Sequence, residues 1–487
     1  MELLAPAGNV QKLFYAFTFG ADAAYIGIKN FSLRMKADNF SGDDYEAVHA
    51  LKAQFPDKKI YCALNSIFHD AELAAFRREI DYFRRYPIDA FIVQDMGVVP
   101  ILQKAFPAAA LHLSTQASCV NSEAVKLYRQ LGFTRIVLGR EISLDEITAI
   151  KDAVPDMELE AFAHGAMCIA YAGRCLMSAY LTGRSAQEGE CAHTCRWNFS
   201  VKGNPKALAE SGALVLEEAA RAGEFFPLYE TDGATALLSS KDLCMIDHLA
   251  DMQASGVDAI KIEGRMKSIY YVALVTQAYR KALDAVSGTI SFAEAAPFVA
   301  ELDNVAHRES TTGFYYGRAA ANTPTSGASD SPYLLAGTVD RRLSAAALEA
   351  VVRLGEKTMA ARAAAFRMLS PEAQISRRAI MAAHPEKTPR PVTARDGWEL
   401  FEYTPLNKIC ITQDIEFIVP GRGVQCAAGG TWELIDPDTG TLSSWVSAGH
   451  RCLLYTAHDI PFGTIVRCAA GGTTSGRIRN GRRDTAV

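Results

Sequence analysis

Short apolar runs alternate with amphipathic segments of helical period through the first 290 residues. This alternation predicts parallel strands joined by crossover helices. We place the predicted strands at about 2–6, 23–28, 59–65, 90–95, 110–116, 135–140, 157–164 and 259–264. The first strand is followed by no GxGxxG motif of an open nucleotide-binding sheet, so the fold class predicted is α/β, a (β/α)8 barrel of the TIM type.

The pattern also divides the chain. The barrel domain is expected over residues 1–300, with a cysteine-rich insertion after the seventh strand over 166–238, and residues 301–332 are expected to form a linker. Residues 333–487 are predicted to form a small β-barrel accessory domain. An alanine-rich helical segment near 344–382 interrupts that second domain.

Composition and the N-terminal sequence predict where the protein resides in the cell. The chain has 487 residues, 49% of them hydrophobic and 22% charged, and a formal net charge of -5, as in a globular protein with no bulk attraction for nucleic acid. The N-terminus has neither a basic start nor a long apolar stretch, so we expect a cytoplasmic protein without a membrane span. Cytoplasmic thiols stay reduced, so a tight group of cysteines calls for a metal or redox explanation.

Four cysteines form such a group on the loop that leaves the seventh predicted strand. They are Cys168, Cys175, Cys191 and Cys195. Zinc and a [4Fe–4S] cluster both accept four thiolates, and the spacing lacks the two tight CxxC pairs common in structural zinc sites. Buried free cysteines remain the alternative without a metal. Cys244 is a conceivable substitute ligand, but it falls at the start of a predicted amphipathic helix and is assigned to the core.

Side-chain alternation on the strands predicts what faces the barrel mouth. Lys261, Glu263 and Arg265 share one face of the last strand, whereas Ile260 and Ile262 share the other. The same argument groups Glu158, Glu160 and His164 on the seventh strand and His112, Ser114 and Gln116 on the fifth, while Asn65 ends the third. Such a mouth is either a binding site for a polar, anionic ligand or a neutralised network in which Lys261 and Glu263 pair.

Several longer motifs resemble the collagenase-like U-type peptidase family (U32). They include Glu160-Ala-Phe-Ala-His-Gly-Ala-Met-Cys168, Glu190-Cys-Ala-His-Thr-Cys-Arg-Trp197 and Lys261-Ile-Glu-Gly-Arg-Met-Lys-Ser268. Leu4-Ala-Pro-Ala-Gly8, Phe31-Ser-Leu-Arg34 and Ser240-Lys-Asp-Leu243 extend the resemblance over most of residues 1–290. Despite its name, the family resembles a set of iron–sulfur proteins that support hydroxylation of RNA bases or of a quinone precursor.

The resemblance implies an activity and a site. The arrangement is most similar to the branch that hydroxylates the wobble uridine of tRNA to 5-hydroxyuridine and depends on prephenate. It implies that the four cysteines carry a [4Fe–4S] cluster, and that prephenate or the target base is held by mouth residues. Of these we expect His164, Glu263 and Arg265 to be catalytic and Arg34, Asn65, Gln116 and Lys261 to bind substrate.

Three other functions remain open. A sister activity would hydroxylate a ribosomal RNA cytidine or a ubiquinone precursor with the same barrel and cysteines. A collagenase-like peptidase with structural zinc fits the family name, although the chain has no HExxH or GxSxG motif. A non-catalytic RNA-binding accessory protein would use the charged mouth only as a structural network.

Overall fold

The chain forms two compact units, residues Met1–Asp330 and Ser331–Val487. The computed structural model describes residues 1–28, 31, 38–168, 170–186, 191–196, 215–217, 225–227, 229–231, 234–236, 240–317, 331–384 and 388–470. The strands of the first unit are β1 (Glu2–Pro6), β2 (Ala23–Ile26), β3 (Lys59–Leu64), β4 (Ala90–Val93), β5 (Ala110–Leu113), β6 (Arg135–Val137), β7 (Glu158–Ala166), β8 (Val215–Glu217), β9 (Phe225–Pro227), β10 (Tyr229–Thr231), β11 (Ala234–Ala236), β12 (Asp242–Cys244), β13 (Ala259–Ile262) and β14 (Ser310–Thr311).

Strands β1 to β7 and β13 close into a parallel barrel. Each of β1 to β6 pairs in parallel with the next strand, and β13 pairs in parallel with both β1 and β7. The apolar runs that predicted these strands are buried on the helix-facing side, as Leu3 and Ile260 show with no exposed surface. The predicted (β/α)8 barrel is confirmed.

The helices of the first unit follow the barrel strands or the loops between them. They are α1 (Val10–Thr18), α2 (Asp44–Gln54), α3 (Asp70–Phe83), α4 (Val99–Ala105), α5 (Ser122–Gln130), α6 (Leu144–Ala153), α7 (Met177–Thr182), α8 (Leu249–Ala254), α9 (Ile269–Val286) and α10 (Phe292–Val299). Helix α9 is buried along most of its length because it follows the closing strand and packs against β1 and α1. Among the described helices, none combines the length and the apolar character that crossing a membrane requires.

A network of charged side chains fills part of the barrel interior. The Arg135 guanidinium lies 2.6 Å from Glu2 and 3.2 Å from Glu160, whose other carboxylate oxygen accepts from Lys261 at 2.9 Å. The Lys261 ammonium also lies 4.6 Å from the ring centroid of Tyr25. These residues come from five different strands, so they meet only inside the barrel. Lys261 therefore pairs with Glu160 rather than with Glu263, the partner considered from the sequence.

The excursion between β7 and β13 carries the cysteine loop and returns through β12. Strand β12 pairs antiparallel with the end of β7, Cys244 lying opposite His164. The prediction that an amphipathic helix starts within residues 240–246 is therefore wrong. Asp242–Cys244 form a strand, and α8 begins only at Leu249. The strands β10 and β11 pair antiparallel, and Asp232-Gly233 between them, a dipeptide typical of a hairpin turn, lies outside the described residues.

Residues 301–317, the first part of the predicted linker, do not form a linker. Leu302 and Tyr315 are buried, the Tyr315 hydroxyl donates to the Phe162 carbonyl at 2.6 Å, and Arg308 forms a buried ion pair with Asp242. Residues 301–317 thus pack on the barrel, because β7 offers a carbonyl to Tyr315 and β12 offers the carboxylate of Asp242 to Arg308. The rest of the predicted linker, 318–330, lies outside the described residues.

The second unit is built on an antiparallel sheet. Its elements are β15 (Tyr333–Arg342), α11 (Ala345–Arg367), α12 (Pro371–Ala383), β16 (Glu399–Pro405), β17 (Ile409–Cys410), β18 (Ile415–Val419), β19 (Gly423–Ala427), β20 (Trp432–Asp436), β21 (Thr441–Ser443), β22 (Trp445–Val446), β23 (Cys452–Thr456) and β24 (Ile465–Ala469). Eight of these strands form one sheet in the order β19-β18-β24-β15-β16-β23-β20-β21. The alanine-rich helical segment expected near 344–382 is present as α11 and α12, between the neighbouring strands β15 and β16.

Candidate functional site

A cavity of about 600 Å³ opens at the carboxyl ends of the barrel strands. The described residues that line it include five of the seven mouth residues predicted from the sequence, Asn65, Gln116, Lys261, Glu263 and Arg265. A sixth, His164, lies elsewhere. The seventh, Arg34, lies outside the described residues.

Arg140 holds Glu263 at the wall of this cavity. One guanidinium nitrogen of Arg140 donates to the Ala166 carbonyl at 2.8 Å, and another lies 3.1 Å from Glu263 Oε2. The guanidinium carbon lies 3.9 Å from the centroid of the Phe162 ring, a cation–π distance. The carboxylate that faces the cavity therefore has a fixed position, set by a residue at the end of β6.

Arg265 is packed into a recess that the barrel backbone leaves for it. Its side chain is buried and lines the cavity, and a Cβ at Gly27 would overlap one of its guanidinium nitrogens. The Arg265 carbonyl accepts from Lys12 at 3.5 Å. A side chain at residue 27 would displace the guanidinium, so the glycine after β2 is part of what positions this cation.

The amide side chains and the charged residues that line the cavity determine which ligands it can bind. Asn65 follows β3 and Gln116 follows β5, so both reach the mouth from the strand ends, and the backbone N–H of Gln116 donates to the Ser114 hydroxyl at 3.2 Å. Amides offer both donors and acceptors to a polar ligand. Among the described lining residues, four are cations, Arg140, Lys261, Arg265 and Lys267, and two are acids, Glu141 and Glu263. The balance favours an anionic ligand.

His164 points away from the cavity because of an irregularity in β7. The register between β7 and β13 shifts after Lys261, so that Phe162 faces the interior opposite Lys261 while His164 lies opposite the outward-facing Ile262. The His164 ring packs between Tyr271 and Tyr279, with Nδ1 at 3.3 Å from the Tyr279 hydroxyl oxygen. Burial lowers the pKa of His164 to about 3. The alternation argument was wrong at this residue, because the extra residue Ala163 reverses the facing of the side chain.

All four predicted ligand cysteines line the same cavity as the polar mouth residues. Cys168 is exposed, and Cys175, Cys191 and Cys195 are half-buried. In the described part of the chain, no three His, Cys, Asp or Glu side chains are already arranged at metal-binding distances. Four accessible thiols around one cavity nevertheless fit a Cys₄ centre in ligand type and number.

The cysteine loop is fastened to the barrel on both sides of Ala172. The Ala172 N–H donates to Glu141 at 2.6 Å, and its carbonyl accepts from the Ser118 hydroxyl. Gly173 has a φ of +72°, and a Cβ there would overlap the Gln116 carbonyl oxygen. The loops after β5 and β6 thus fix the segment between Cys168 and Cys175.

The second pair of cysteines is tied to helix α7. The Ser178 hydroxyl donates to the Arg184 carbonyl at 2.7 Å and accepts from the Ala192 N–H at 2.9 Å. Ser178 itself is buried. This serine holds the chain next to Cys191 against the helix that follows Cys175, so it brings the two halves of the cysteine motif together.

Cys244 is not part of the group. It lies at the end of β12, outside the cavity lining, with Sγ 3.9 Å from the Tyr279 hydroxyl oxygen. Burial raises the pKa of its thiol. It is half-buried rather than part of the buried core, and its position outside the cavity agrees with leaving it out of the predicted ligand set.

Three charged lining residues escaped the sequence reasoning. Arg140 ends the sixth predicted strand and Glu141 follows it, while Lys267 lies three residues after the last predicted strand. Charged residues at the carboxyl end of a barrel strand are candidates for the mouth by position alone. That rule, applied to every strand rather than to the last, would have found all three.

The chain is similar to curated proteins of different stated functions. It is 38% identical over 341 residues to the Escherichia coli tRNA hydroxylation protein P, a match that covers 64% of this chain and 74% of that protein. It is 37% identical over 339 residues to the Escherichia coli 23S rRNA 5-hydroxycytidine C2501 synthase, covering 68% of this chain and 47% of that protein. A collagenase of Porphyromonas gingivalis is 29% identical over 329 residues, covering 65% and 74%.

The motifs quoted above for the resemblance lie between Leu4 and Ser268. The model of peptidase family U32 matches residues 8–324, well over half of the chain, and the protein therefore belongs to that family.

Proposed function

We propose that this protein hydroxylates the wobble uridine of tRNA to 5-hydroxyuridine, with prephenate as co-substrate and a [4Fe–4S] cluster on Cys168, Cys175, Cys191 and Cys195. The observation that carries the proposal is that four cysteines and a set of polar mouth residues line one cavity. The similarity to tRNA hydroxylation protein P supports the RNA substrate.

The cluster assignment rests on the donor set. Four thiols on one loop meet the preference of iron–sulfur clusters for Cys₄ ligation, and a cluster bound there would supply electron transfer or a site for an oxygen-bearing ligand. The protein's own contribution is to fasten the loop through Glu141, Ser118 and Ser178, which places the thiols at the cavity that receives the substrate.

The cavity chemistry suits a small dianion. Its volume of about 600 Å³ lies within the usual range for small-molecule sites. Prephenate carries two carboxylates, and a buried guanidinium such as that of Arg265 binds carboxylate through two parallel hydrogen bonds. Lys261 adds a second cation at the cavity floor, where its pairing with Glu160 keeps the ammonium in place.

The amides and Glu263 suit the base. An unstacked uracil presents carbonyl oxygens and one N–H on its pairing edge, and Asn65 and Gln116 offer matching donors and acceptors. Glu263 is the acid–base group that Arg140 holds toward the cavity, so it is our candidate for moving a proton at its Oε atoms.

The first experiment tests the metal. The protein is purified without oxygen, and visible absorbance, iron, sulfide and zinc are measured for the wild type, Cys191→Ala and the control Cys426→Ala, an exposed cysteine of the second unit. We expect a brown wild type and control with about four irons per chain, and a colourless Cys191→Ala. Stoichiometric zinc in a colourless wild type would contradict the cluster and favour a peptidase or structural-zinc protein.

The second experiment tests the substrate. Nucleosides from tRNA and from 23S rRNA are analysed in a deletion strain carrying the wild-type gene, Glu263→Gln or an empty vector. We expect 5-hydroxyuridine in tRNA only with the wild-type gene. Loss of 5-hydroxycytidine from rRNA, with tRNA unchanged, would support the rRNA activity instead, a candidate that the similarity to the 23S rRNA synthase favours. Full modification with Glu263→Gln would favour the accessory-protein alternative.

A further inference from the structure

The cysteine loop presents large apolar side chains to solvent beside the cavity. Tyr180 is 88% exposed, Leu176 73% and Tyr171 56%. Three exposed side chains of this size within ten residues of the chain make the segment a candidate binding surface. We call the surface formed by these two tyrosines and one leucine the aromatic rim.

Within the segment that carries the rim the charged side chains are all basic, although Glu141 of the barrel is bonded to the neighbouring Ala172 N–H. Residues 170–186 contain Arg174 and Arg184 but no aspartate or glutamate. Arg174 is exposed and lies between Tyr171 and Leu176 in the chain. Exposed rings interleaved with arginine and free of acids are the composition that binds unpaired nucleotides, because bases stack on the rings while arginine meets the phosphates.

The rim is also preorganised and adjacent to the reaction cavity. Tyr171 lines the cavity, one residue before Ala172, whose N–H and carbonyl are both bonded to the barrel loops. Tyr180 lies on α7, which Ser178 ties to the chain at Ala192. The backbone under each ring is held in place, so little ordering would be needed when a ligand stacks on it.

We propose that the aromatic rim is the stacking surface for unpaired nucleotides of an RNA substrate. Tyr171 stacks on the base that enters the cavity, and Tyr180 with Leu176 takes its neighbour. A base inside a duplex cannot reach a cavity at a barrel mouth, so an enzyme that modifies it must receive it unstacked. The inference rests on the proposed function in that it takes the substrate to be RNA, and it adds the segment that binds it.

The test measures RNA binding by fluorescence anisotropy with the cluster-loaded protein. The probes are a labelled hairpin with the anticodon-loop sequence and a duplex in which the same sequence is paired. The variants are Tyr171→Ala, Tyr180→Ala and Tyr180→Trp. The control is Phe292→Ala, which removes a ring that is 69% exposed on α10 and does not line the cavity.

We expect each alanine variant to weaken hairpin binding about tenfold or more, and Tyr180→Trp to restore it, with iron content unchanged throughout. Phe292→Ala and the wild type should bind alike, and the paired probe should bind weakly to all variants. Wild-type affinity for the hairpin in the double variant Tyr171→Ala/Tyr180→Ala would overturn the inference while leaving the proposed function intact. A wild type that binds neither probe would overturn both.

A second copy of the chain is the rival occupant of the rim. Sedimentation of the wild type and of Tyr180→Ala separates the two cases. A wild-type dimer that dissociates in Tyr180→Ala, with hairpin affinity unchanged, would assign the rim to self-association and overturn the RNA assignment.

Discussion

Arg140 and Glu263 meet across the barrel mouth, with a guanidinium nitrogen 3.1 Å from a carboxylate oxygen, although the two residues are 123 positions apart. The same guanidinium is bonded to the Ala166 carbonyl, two residues before Cys168. Arg140 therefore connects Glu263, which faces the cavity, with the start of the cysteine loop.

We predict that Arg140→Met lowers single-turnover tRNA modification by about 10- to 100-fold, because misplaced catalytic groups cost rates of that order. Arg140→Lys should fall between wild type and Arg140→Met, since one ammonium cannot hold both acceptors. Arg129→Met, which removes an exposed arginine bonded to Asp156, serves as the control.

The coupling of the pair is measured by adding Glu263→Gln. If Arg140 acts through Glu263, the double variant should be no slower than the worse single variant. Rate losses that multiply in the double variant would show that the two residues act independently.

Glu160→Gln is expected to lower the free energy of unfolding of the barrel by about 3–5 kcal/mol, because it removes the carboxylate that pairs with the buried Lys261 and one of the three that pair with Arg135. Glu160 has no exposed surface, whereas Glu158, which also bonds Arg135, has a half-exposed side chain. Glu158→Gln should cost only about 0–1 kcal/mol. Urea unfolding followed by far-UV circular dichroism compares the two, and equal losses would contradict the interior placement of the network.

Acid should destabilise the barrel through His164. Burial lowers the pKa of this ring to about 3, whereas it titrates near 6.5 when unfolded, so the unfolded chain binds the extra proton below that pH. Stability conferred by the neutral ring is present above pH ~6.5 and is lost as pH falls toward ~3. Between pH ~7 and ~5 the loss is about 2 kcal/mol.

The measurement is the change in urea midpoint between these two pH values for wild type and His164→Gln. His164→Gln should lose the part of the pH dependence that comes from His164. It should keep the part that comes from His112, because burial lowers the pKa of that ring as well. His49→Gln, at an exposed ring, should retain the wild-type dependence. A wild-type slope in His164→Gln would refute the assignment.

Two glycines of the cysteine loop provide a matched pair for testing how the loop is held. Gly173 and Gly183 have φ values of +72° and +70°, but only at Gly173 would a Cβ overlap another backbone, at the Gln116 carbonyl. Gly173→Ala should therefore lower iron content per chain and speed bleaching in air. Gly183→Ala should carry only the backbone strain, about 1 kcal/mol, and keep its iron.

Much of the barrel was predictable because each strand is a short apolar run followed by a polar helix start. One such start is Ser143-Leu-Asp-Glu146, a capping-box sequence that does begin α6. Side-chain alternation correctly brought Lys261, Glu263 and Arg265 to the cavity. It did not bring His164 there, because a register shift between two strands depends on their pairing and leaves no mark in either sequence alone.

Other features depended on partners distant in sequence. Residues 242–244 form a strand only because the end of β7 offers an open edge to pair with, and their own pattern suggested a helix. In the second unit the sequence predicts strands at about 333–339, 408–419, 431–435 and 451–456. Strands β16 and β24 were missed because their pairing partners lie far along the chain. Strand β19 was missed although its partner β18 directly precedes it, because Gly423–Ala427 carries few apolar residues.

The pairing of β7 with β13, which closes the barrel, affects which insertions and deletions the chain can tolerate during evolution. More than ninety residues separate the two paired strands, and they include the cysteine loop, two hairpins and β12. The entropy of closing so long a segment depends only weakly on its length, about 0.6 kcal/mol for each doubling. Segments between the cysteines and β12 can therefore be lengthened, shortened or exchanged with little loss of stability, so a lineage can acquire a new substrate while the barrel and its thiols stay as they are.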